Sequence, residues 1–347
     1  MRIWQHFLLL FSVLYGRDTL GQDNQFNVLQ LNLWHEGTAV PGGYDAILTE
    51  IRDKDPDIIL LSEINNHNGV DFITRLINDL KHHGINYYGI SNETSVDVGT
   101  LSKFPILEQN TLYTKDNRLG QVLKTKINVH NHPVIFYSVH LDYTNYACYL
   151  PRGYDCVTWK KMDQPIIDEQ EILEANRKST RDEAVRDIIA DVNKESKKYS
   201  IIIGGDFNEP SHLDWIEQNK NLYDRQGAVI PWDCSLMLYR AGFKDTFREI
   251  YANPLTHPGF TYPSYNPAVP IEKITWAPQA DDRDRIDYLY FKSNSRKLKL
   301  KNIKIVGPEA TIRHAQKQEK ESEDDFLLPK NVWPSDHKGL LATFIIK

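Results

Sequence analysis

Apolar runs of strand length alternate along the chain with amphipathic runs of helical period. The run Val28–Leu33 is followed by Tyr44–Lys54, in which four apolar residues share one face. Apolar spacing of this kind is typical of a helix that packs on a core. Strands are therefore predicted at 28–33, 57–61, 123–129, 134–140, 200–204, 285–291, 298–306 and 339–346, and helices at 44–54 and 70–82.

A further helix carries a start signal. Thr180 and Glu183 have the spacing of a capping box, in front of an apolar helical stripe from Ala184 to Val192. In a capping box the two side chains bond each other's backbone N–H groups. We predict a helix that begins after Thr180 with its first turn capped in this way.

The order of the elements lacks a strict βαβ rhythm. Strands and helices mixed in this way favour sheets with helices on their outer faces. The chain contains no internal repeat and no low-complexity linker, which predicts one domain over residues 23–347. Two segments look inserted: residues 143–175, rich in aromatic side chains, and residues 314–325, a charged run predicted to be a mobile solvated loop.

The first 22 residues contain Arg2, an apolar run from Phe7 to Tyr15, and then small and polar residues. This pattern predicts a signal peptide over residues 1–22, and hence a secreted or periplasmic protein. No later segment has the apolar length of a membrane span. An oxidising compartment would permit one disulfide, with Cys148 and Cys156 as the nearest pair, but three unpaired thiols fit the sequence equally well.

Composition narrows the class of partner. The chain is 41% hydrophobic and 25% charged, as in soluble globular proteins, and its formal charge is -6. An acidic chain has no broad basic surface for a polyanion. Nucleic-acid binding must therefore be local or assisted by bound cations.

Polar and ionisable residues end several of the apolar runs. Strand ends are where α/β proteins build sites. A carboxylate such as Glu63, at the end of a buried strand, is costly unless it meets a cation or another partner. We therefore predict that these side chains meet at one site. The residues are Asn32, Glu63, His140, Asp206, Asn208, Asp336 and His337.

Together with Arg285–Tyr288 and Gly99–Ile106, this ordered set resembles the endonuclease/exonuclease/phosphatase superfamily. The superfamily includes pancreatic-type deoxyribonuclease, abasic-site nucleases, neutral sphingomyelinases and inositol polyphosphate 5-phosphatases. The resemblance spans residues 26–346 and is strongest toward the deoxyribonuclease I-like and sphingomyelinase-like branch, in which His140 has a counterpart. Abasic-site nucleases replace that histidine and carry an acid where this chain has Trp34, so both positions disfavour abasic-site repair.

The resemblance implies a fold and a reaction. The implied fold is α+β, a four-layer α/β sandwich of two mainly antiparallel β-sheets packed face to face with helices on the outer faces. The implied reaction is metal-dependent hydrolysis of a phosphate ester. An oxygen-only ligand set of Asn32, Glu63 and Asp336 suits a hard cation, Mg²⁺, with Mn²⁺ or Ca²⁺ as alternatives.

The family pattern also implies roles for the remaining residues. His337, oriented by Asp287, is the candidate general base or phosphate ligand. Asp206 is expected to position or deprotonate the attacking water. Asn208 is expected to donate to a phosphate oxygen, and His140 to supply a second donor or the acid for the leaving group.

The inserted segment 143–175 follows His140 directly, so we expect it to overhang the site. Its aromatic residues either contact substrate or pack within the loop, and the same alternatives hold for Trp232, Tyr262, Tyr265 and Trp276. We favour a secreted phosphoesterase for a phosphodiester or phosphomonoester of small-molecule or lipid-headgroup type. The alternatives are a secreted deoxyribonuclease-like endonuclease and a catalytically silent binding subunit on the same fold.

Overall fold

A computed structural model describes residues 24–90, 96–113 and 121–347. The predicted signal peptide lies outside these residues. The first large sheet has seven strands in the order β14-β11-β15-β1-β2-β4-β3, with β1 parallel to β2. Its strands are β1 (Gln25–Asn32), β2 (Ile58–Ser62), β3 (Tyr88–Gly89), β4 (Val98–Ser102), β11 (Leu298–Val306), β14 (Phe326–Leu327) and β15 (Gly339–Ile346).

The second large sheet has six strands in the order β5-β6-β7-β8-β10-β9. In this sheet β7 is parallel to β8, and the other neighbours are antiparallel. A separate two-stranded hairpin is formed by β12 (Thr311–Arg313) and β13 (Gln316–Gln318). The six strands are β5 (Ile106–Tyr113), β6 (Gln121–Val129), β7 (His132–His140), β8 (Ser200–Asp206), β9 (Lys244–Asp245) and β10 (Asp287–Lys292).

The helices cover the outer faces of both sheets. Apolar residues of α1 and α2 pack on the first sheet, and those of α4 and α5 pack on the second. Among the helices of the described ranges, none has the length and apolar character that crossing a membrane requires. The helices are α1 (Gly43–Lys54), α2 (Phe72–His82), α3 (Glu169–Asn176), α4 (Arg181–Glu195), α5 (Asp233–Arg240), α6 (Thr246–Ile250) and α7 (Ile271–Ile274).

The predicted architecture is confirmed. The two sheets pack face to face through a shared apolar layer that includes Val28, Leu60, Phe136 and Leu289, which gives the four layers helix, sheet, sheet, helix. The predicted strands and helices occur within a few residues of their predicted bounds. Strands β4 and β5 lie in a segment where the sequence pattern predicted none.

Alternation along the strands explains where a site can form. In β1, Phe26 and Val28 face the layer between the sheets, whereas Leu29 and Leu31 face α1 and α2. The same inner face of β1 continues with Gln30 and ends at Asn32, because side chains alternate with period two. Similar changes from apolar to polar occur along the inner faces of β2, β7 and β8. One end of the inter-sheet layer is therefore polar.

Two local predictions are wrong. The Thr180 side chain makes no capping hydrogen bond to α4; instead its hydroxyl and backbone N–H donate to the Asp142 carboxylate, which replaces the capping box. The charged run 314–325 is not a solvated loop throughout, because it includes β13 and because Asp324 is buried and accepts from the Gly259 backbone N–H. Charge density along the run gave no signal of these tertiary partners.

The three cysteines all lie in the described part of the chain. Each is a buried free thiol, so the Cys148–Cys156 alternative is not formed. Burial raises the pKa of all three thiols. Buried protonated thiols behave as small apolar side chains rather than as reactive groups.

Candidate active site

Strand register brings the predicted residues together. The parallel pairing of β1 with β2 sets Asn32 beside Ser62, directly before Glu63, and the parallel pairing of β7 with β8 sets His140 beside Asp206. The antiparallel β10 places Asp287 opposite Asp206. A Cβ at Gly205 would lie 1.8 Å from the Val139 carbonyl oxygen, so the glycine allows β7 and β8 this close pairing.

Asp206 lies at the centre of the polar cluster. Its Oδ2 accepts from Asn32 Nδ2 at 3.1 Å and lies 3.7 Å from His337 Nε2 and 3.9 Å from His140 Nε2. Burial raises the pKa of Asp206 to about 6, the nearby histidines oppose that rise, and Asp287 adds to it. Two imidazole nitrogens thus face one buried carboxylate across the site.

His337 is held by a buried carboxylate behind it. Its Nδ1 lies 2.9 Å from Asp287 Oδ2, and Gln30 Nε2 donates to Asp287 Oδ1 at 2.8 Å. Burial alone lowers the pKa of His337, but Asp287 and Asp206 raise it well above its ordinary value. With Nδ1–H directed at Asp287, the Nε2 atom is the one presented to the site.

His140 has an equivalent partner that sequence reasoning missed. Asp97 Oδ2 lies 2.6 Å from His140 Nδ1. Burial lowers the pKa of His140, and Asp97 more than compensates, with Asp206 and Glu63, to raise it to about 10. Asp97 directly precedes β4, which runs antiparallel to β2 with Val98 opposite Ser62, so its place at this edge follows only once that pairing is known.

The amide residues are oriented as donors. Asn32 Nδ2 donates to Glu63 Oε1 at 3.0 Å as well as to Asp206, and the Asn32 Oδ1 atom accepts from the Trp34 backbone N–H. The Asn208 backbone N–H donates to Asp206 Oδ1, while its side chain donates to the Leu141 carbonyl oxygen. In this geometry the Asn32 oxygen is turned away from the carboxylates, and its role as a metal ligand stays a prediction.

The carboxylate set fits a divalent cation. Glu63, Asp97, Asp206, Asp287 and Asp336 supply five acidic groups around two histidines, and burial raises the pKa of Asp336 to about 8. Such crowding disfavours full ionisation unless a cation neutralises it. Asp206, Asp287 and His337 also present ligand atoms that all lie within 4.8 Å of one another. Because Asp287 is already paired with His337, Glu63 and Asp336 are the residues that would hold the ion.

The polar cluster forms the floor of a cavity of about 380 Å³. Aromatic side chains form a wall of the same cavity: Trp159 stacks on Trp276 with 4.4 Å between ring centroids, and the Tyr262 ring lies 4.9 Å from that of His337. Tyr143 and Tyr146 of the inserted segment complete this wall, and Lys273 stands at the same cavity. The segment 143–175 therefore does overhang the site.

The other aromatic residues named in the sequence analysis pack against apolar side chains. Trp232 is fully buried and meets Trp215 edge to face, and Tyr265 packs against a small apolar cluster around Val269. Within the inserted segment, Tyr149 and Tyr154 also belong to an apolar core. Tyr146 and Trp159 belong both to this core and to the cavity lining, so loop packing and cavity lining are not exclusive alternatives.

Comparisons with known proteins agree with this architecture. A model of the Endonuclease/Exonuclease/phosphatase family matches residues 29–337. An uncharacterized protein of Caenorhabditis elegans is 30% identical over 280 residues, which cover 78% of this chain and 79% of that protein.

Solved structures share the fold at low identity. D. rerio TDP2 complexed with a single-strand DNA product is similar with a TM-score of 0.53 and 13% identity, over 93% of this chain and 99% of that chain. Truncated Caenorhabditis elegans TDP2 is similar with a TM-score of 0.51 and 15% identity, over 92% and 97% of the two chains. With the family model matching most of its length, the chain belongs to the endonuclease/exonuclease/phosphatase family.

Proposed function

We propose that this protein is a secreted, divalent-metal-dependent phosphoesterase that hydrolyses a compact phosphodiester or phosphomonoester. The observation that carries the proposal is the convergence of Glu63, Asp206, Asp336 and two carboxylate-paired histidines on the floor of one cavity. Burying acids and imidazoles costs folding stability unless they are paired, so their presence together in one cavity indicates a functional site. Phosphoryl transfer is a reaction that uses such groups.

The position of each residue in the cavity indicates its role in the proposed reaction. His140 and His337 both present their Nε2 atoms toward Asp206 Oδ2, so each can donate to a non-bridging phosphoryl oxygen. Asp206 accepts the hydrogen bond that positions the attacking water and holds its proton. Glu63 and Asp336 would hold a divalent cation, which would neutralise charge on the phosphoryl and leaving oxygens. Asp97 and Asp287 fix the tautomers of the two histidines.

The cavity supports a compact substrate. It combines the polar floor with an aromatic wall of Tyr143, Trp159 and Trp276, which suits an ester whose organic group is apolar or planar. The net charge of -6 and a single lysine among the described residues that line the cavity do not suit a long polyanion.

A deoxyribonuclease-like activity is the second candidate. It is favoured by one observation, the fold shared with D. rerio TDP2 in complex with a single-strand DNA product. Bases stack on exposed aromatic side chains, and Tyr143 and Trp276 are the most exposed members of the wall. The two candidates differ in whether a substrate extends beyond the cavity.

One assay separates these candidates. Purified protein is incubated with Mg²⁺, Mn²⁺ or Ca²⁺ and with bis-nitrophenyl phosphate, sphingomyelin, inositol phosphates or plasmid DNA. We expect turnover of small esters, and Glu63→Gln and His337→Ala should abolish it. The control substitutions Glu169→Gln and His82→Ala, which change exposed residues outside the cavity, should leave turnover unchanged. Rapid plasmid nicking at physiological salt would favour the endonuclease, and no metal-dependent turnover of any substrate would contradict the phosphoesterase proposal.

Secretion rests on the sequence of residues 1–22 alone. Expression of the full chain in secretory cells should deliver protein to the medium with its N-terminus near Asp23. Protein that stays inside the cells and begins at Met1 would contradict this part of the proposal without affecting the enzymatic part.

A further inference from the structure

The turn that follows β1 holds its backbone in a rare conformation. Trp34, His35 and Glu36 have φ angles of 42°, 55° and 61°, and Gly37 follows with 75°. Left-handed backbone costs a non-glycine residue roughly 1–2 kcal/mol, so successive residues adopt it only where their surroundings enforce it. Here the His35 backbone N–H donates to Glu63 Oε2 at 2.8 Å, and the Glu36 backbone N–H donates to the Glu63 carbonyl oxygen.

This turn sets the His35 imidazole against Glu63. His35 Nδ1 lies 3.3 Å from Glu63 Oε2 and 3.1 Å from Asn65 Nδ2, and all three residues line the cavity. A neutral Nδ1 atom has one lone pair, which accepts from the Asn65 amide in this geometry. A metal ion beside Glu63 would take that lone pair in place of the Asn65 amide, whereas a protonated Nδ1 would donate to Glu63.

The separation of the two atoms matches that of ligands on one ion. Neighbouring ligands with bonds of about 2.1 Å lie roughly 3.0–3.4 Å apart in octahedral or tetrahedral geometry. The His35 side chain is 57% exposed, so the ring can turn to bind without unfolding its surroundings. Residue 34 supplies no carboxylate to this corner of the site, because it is a tryptophan.

We propose that His35 Nδ1 and Glu63 together bind the catalytic cation, and that the imidazole makes the site prefer Mn²⁺ to Mg²⁺. This inference rests on the metal-dependent function proposed above. Imidazole nitrogen is a poor ligand for Mg²⁺ and Ca²⁺, which take oxygen, and a good one for first-row transition ions. The nitrogen donor thus departs from the oxygen-only set predicted from the sequence.

Metal titration tests the proposal without reliance on turnover. Mn²⁺ and Mg²⁺ are titrated separately by calorimetry into the full chain, its His35→Ala and His35→Asp variants, and the control His67→Ala. His67 stands beside His35, with 6.5 Å between ring centroids, and its Nε2 atom faces the Thr38 hydroxyl. We expect His35→Ala to weaken Mn²⁺ binding roughly tenfold or more while changing Mg²⁺ binding little. His35→Asp should reverse the preference toward Mg²⁺, and His67→Ala should leave both affinities unchanged.

Pulsed electron paramagnetic resonance of bound Mn²⁺ gives a second readout. The unmodified chain should show hyperfine coupling to an imidazole ¹⁴N nucleus, and His35→Ala should lose it. Equal Mn²⁺ and Mg²⁺ affinities in the unmodified chain, or ¹⁴N coupling that survives His35→Ala, would overturn the role of His35. Binding that is unaffected by Glu63→Gln would overturn the metal site itself, and with it the proposed function, so the two failures are distinguishable.

Discussion

Asp97→Asn is the most informative single change, because Asp97 stands behind His140 and outside the set that the sequence pattern predicted. The side chains are nearly the same size, so the change removes a charge and leaves the packing. The Asp97 Oδ2 atom lies 2.6 Å from His140 Nδ1. An asparagine oxygen can still accept that hydrogen bond, but without the negative charge that favours the imidazolium.

The magnitude follows from the pKa of His140. A rise from 6.5 to about 10 corresponds to about 5 kcal/mol of preference for the charged ring. Burial opposes that rise, and Asp97 is its largest source, ahead of Asp206 and Glu63. Loss of one charge-assisted hydrogen bond costs roughly 2–3 kcal/mol, which lowers the pKa of His140 by about two.

The sign of the effect on stability is fixed by linkage. A histidine whose pKa is raised on folding contributes stability that is complete below its unfolded value of 6.5 and is lost as pH rises toward about 10. For a chain of this length, Asp97→Asn should therefore lower the Tm by roughly 3–5 °C at pH 6. The difference from the unmodified chain should shrink to little at pH 10.

Two measurements in EDTA check this prediction: thermal unfolding from pH 6 to pH 10, and nuclear magnetic resonance titration of the His140 ring. Asp187→Asn, on the exposed face of α4, is the matched control and should show no pH-dependent loss. A ring that still titrates near pH 10 in Asp97→Asn, or an equal loss of Tm at pH 6 and pH 10, would refute the reasoning.

Three further predictions concern two buried charged residues outside the cavity and one residue of its aromatic wall. Burial raises the pKa of Asp282 to about 6, and an asparagine there can still accept from the Tyr149 hydroxyl. Asp282→Asn should therefore stabilise the protein by about 3 kcal/mol at pH 8 and hardly at all at pH 4. Equal gains in stability at both pH values, measured by calorimetry, would contradict this prediction. Arg152→Met should destabilise the protein by roughly 3–5 kcal/mol in urea unfolding, because Arg152 Nη1 donates to the buried Asp284 Oδ2 atom at 2.7 Å. A loss of stability below about 1 kcal/mol would contradict this prediction. Trp276→Ala should raise the KM for bis-nitrophenyl phosphate about three- to tenfold with kcat little changed, because it removes part of the aromatic wall. An unchanged KM would refute a contact between Trp276 and the substrate.

The fold was predictable because its signals are local. Apolar spacing in Tyr44–Lys54 and the polar residue at the end of each buried strand depend only on neighbours in the chain. The ordered motifs from Asn32 to His337 then implied the four-layer sandwich, which the structure confirms.

What the sequence did not reveal depends on tertiary partners. Asp97 gains its place from the antiparallel pairing of β2 with β4, a strand that the apolar pattern did not predict. The capping box failed because Asp142, distant in sequence, takes the Thr180 hydroxyl and N–H. The contact of His35 with Glu63 depends on a left-handed turn that no local propensity favours.

The most direct test of the central claim is one rate measured through a cycle of chelation and reloading. Hydrolysis of bis-nitrophenyl phosphate by the purified chain is followed before EDTA, after EDTA, and after Mn²⁺ or Mg²⁺ is restored. We predict that chelation abolishes turnover, that the added metal restores it, and that Glu63→Gln, although folded, falls at least about 100-fold below the unmodified chain in every metal. Turnover that persists in EDTA, or that Glu63→Gln retains in full, would contradict a metal-dependent phosphoesterase.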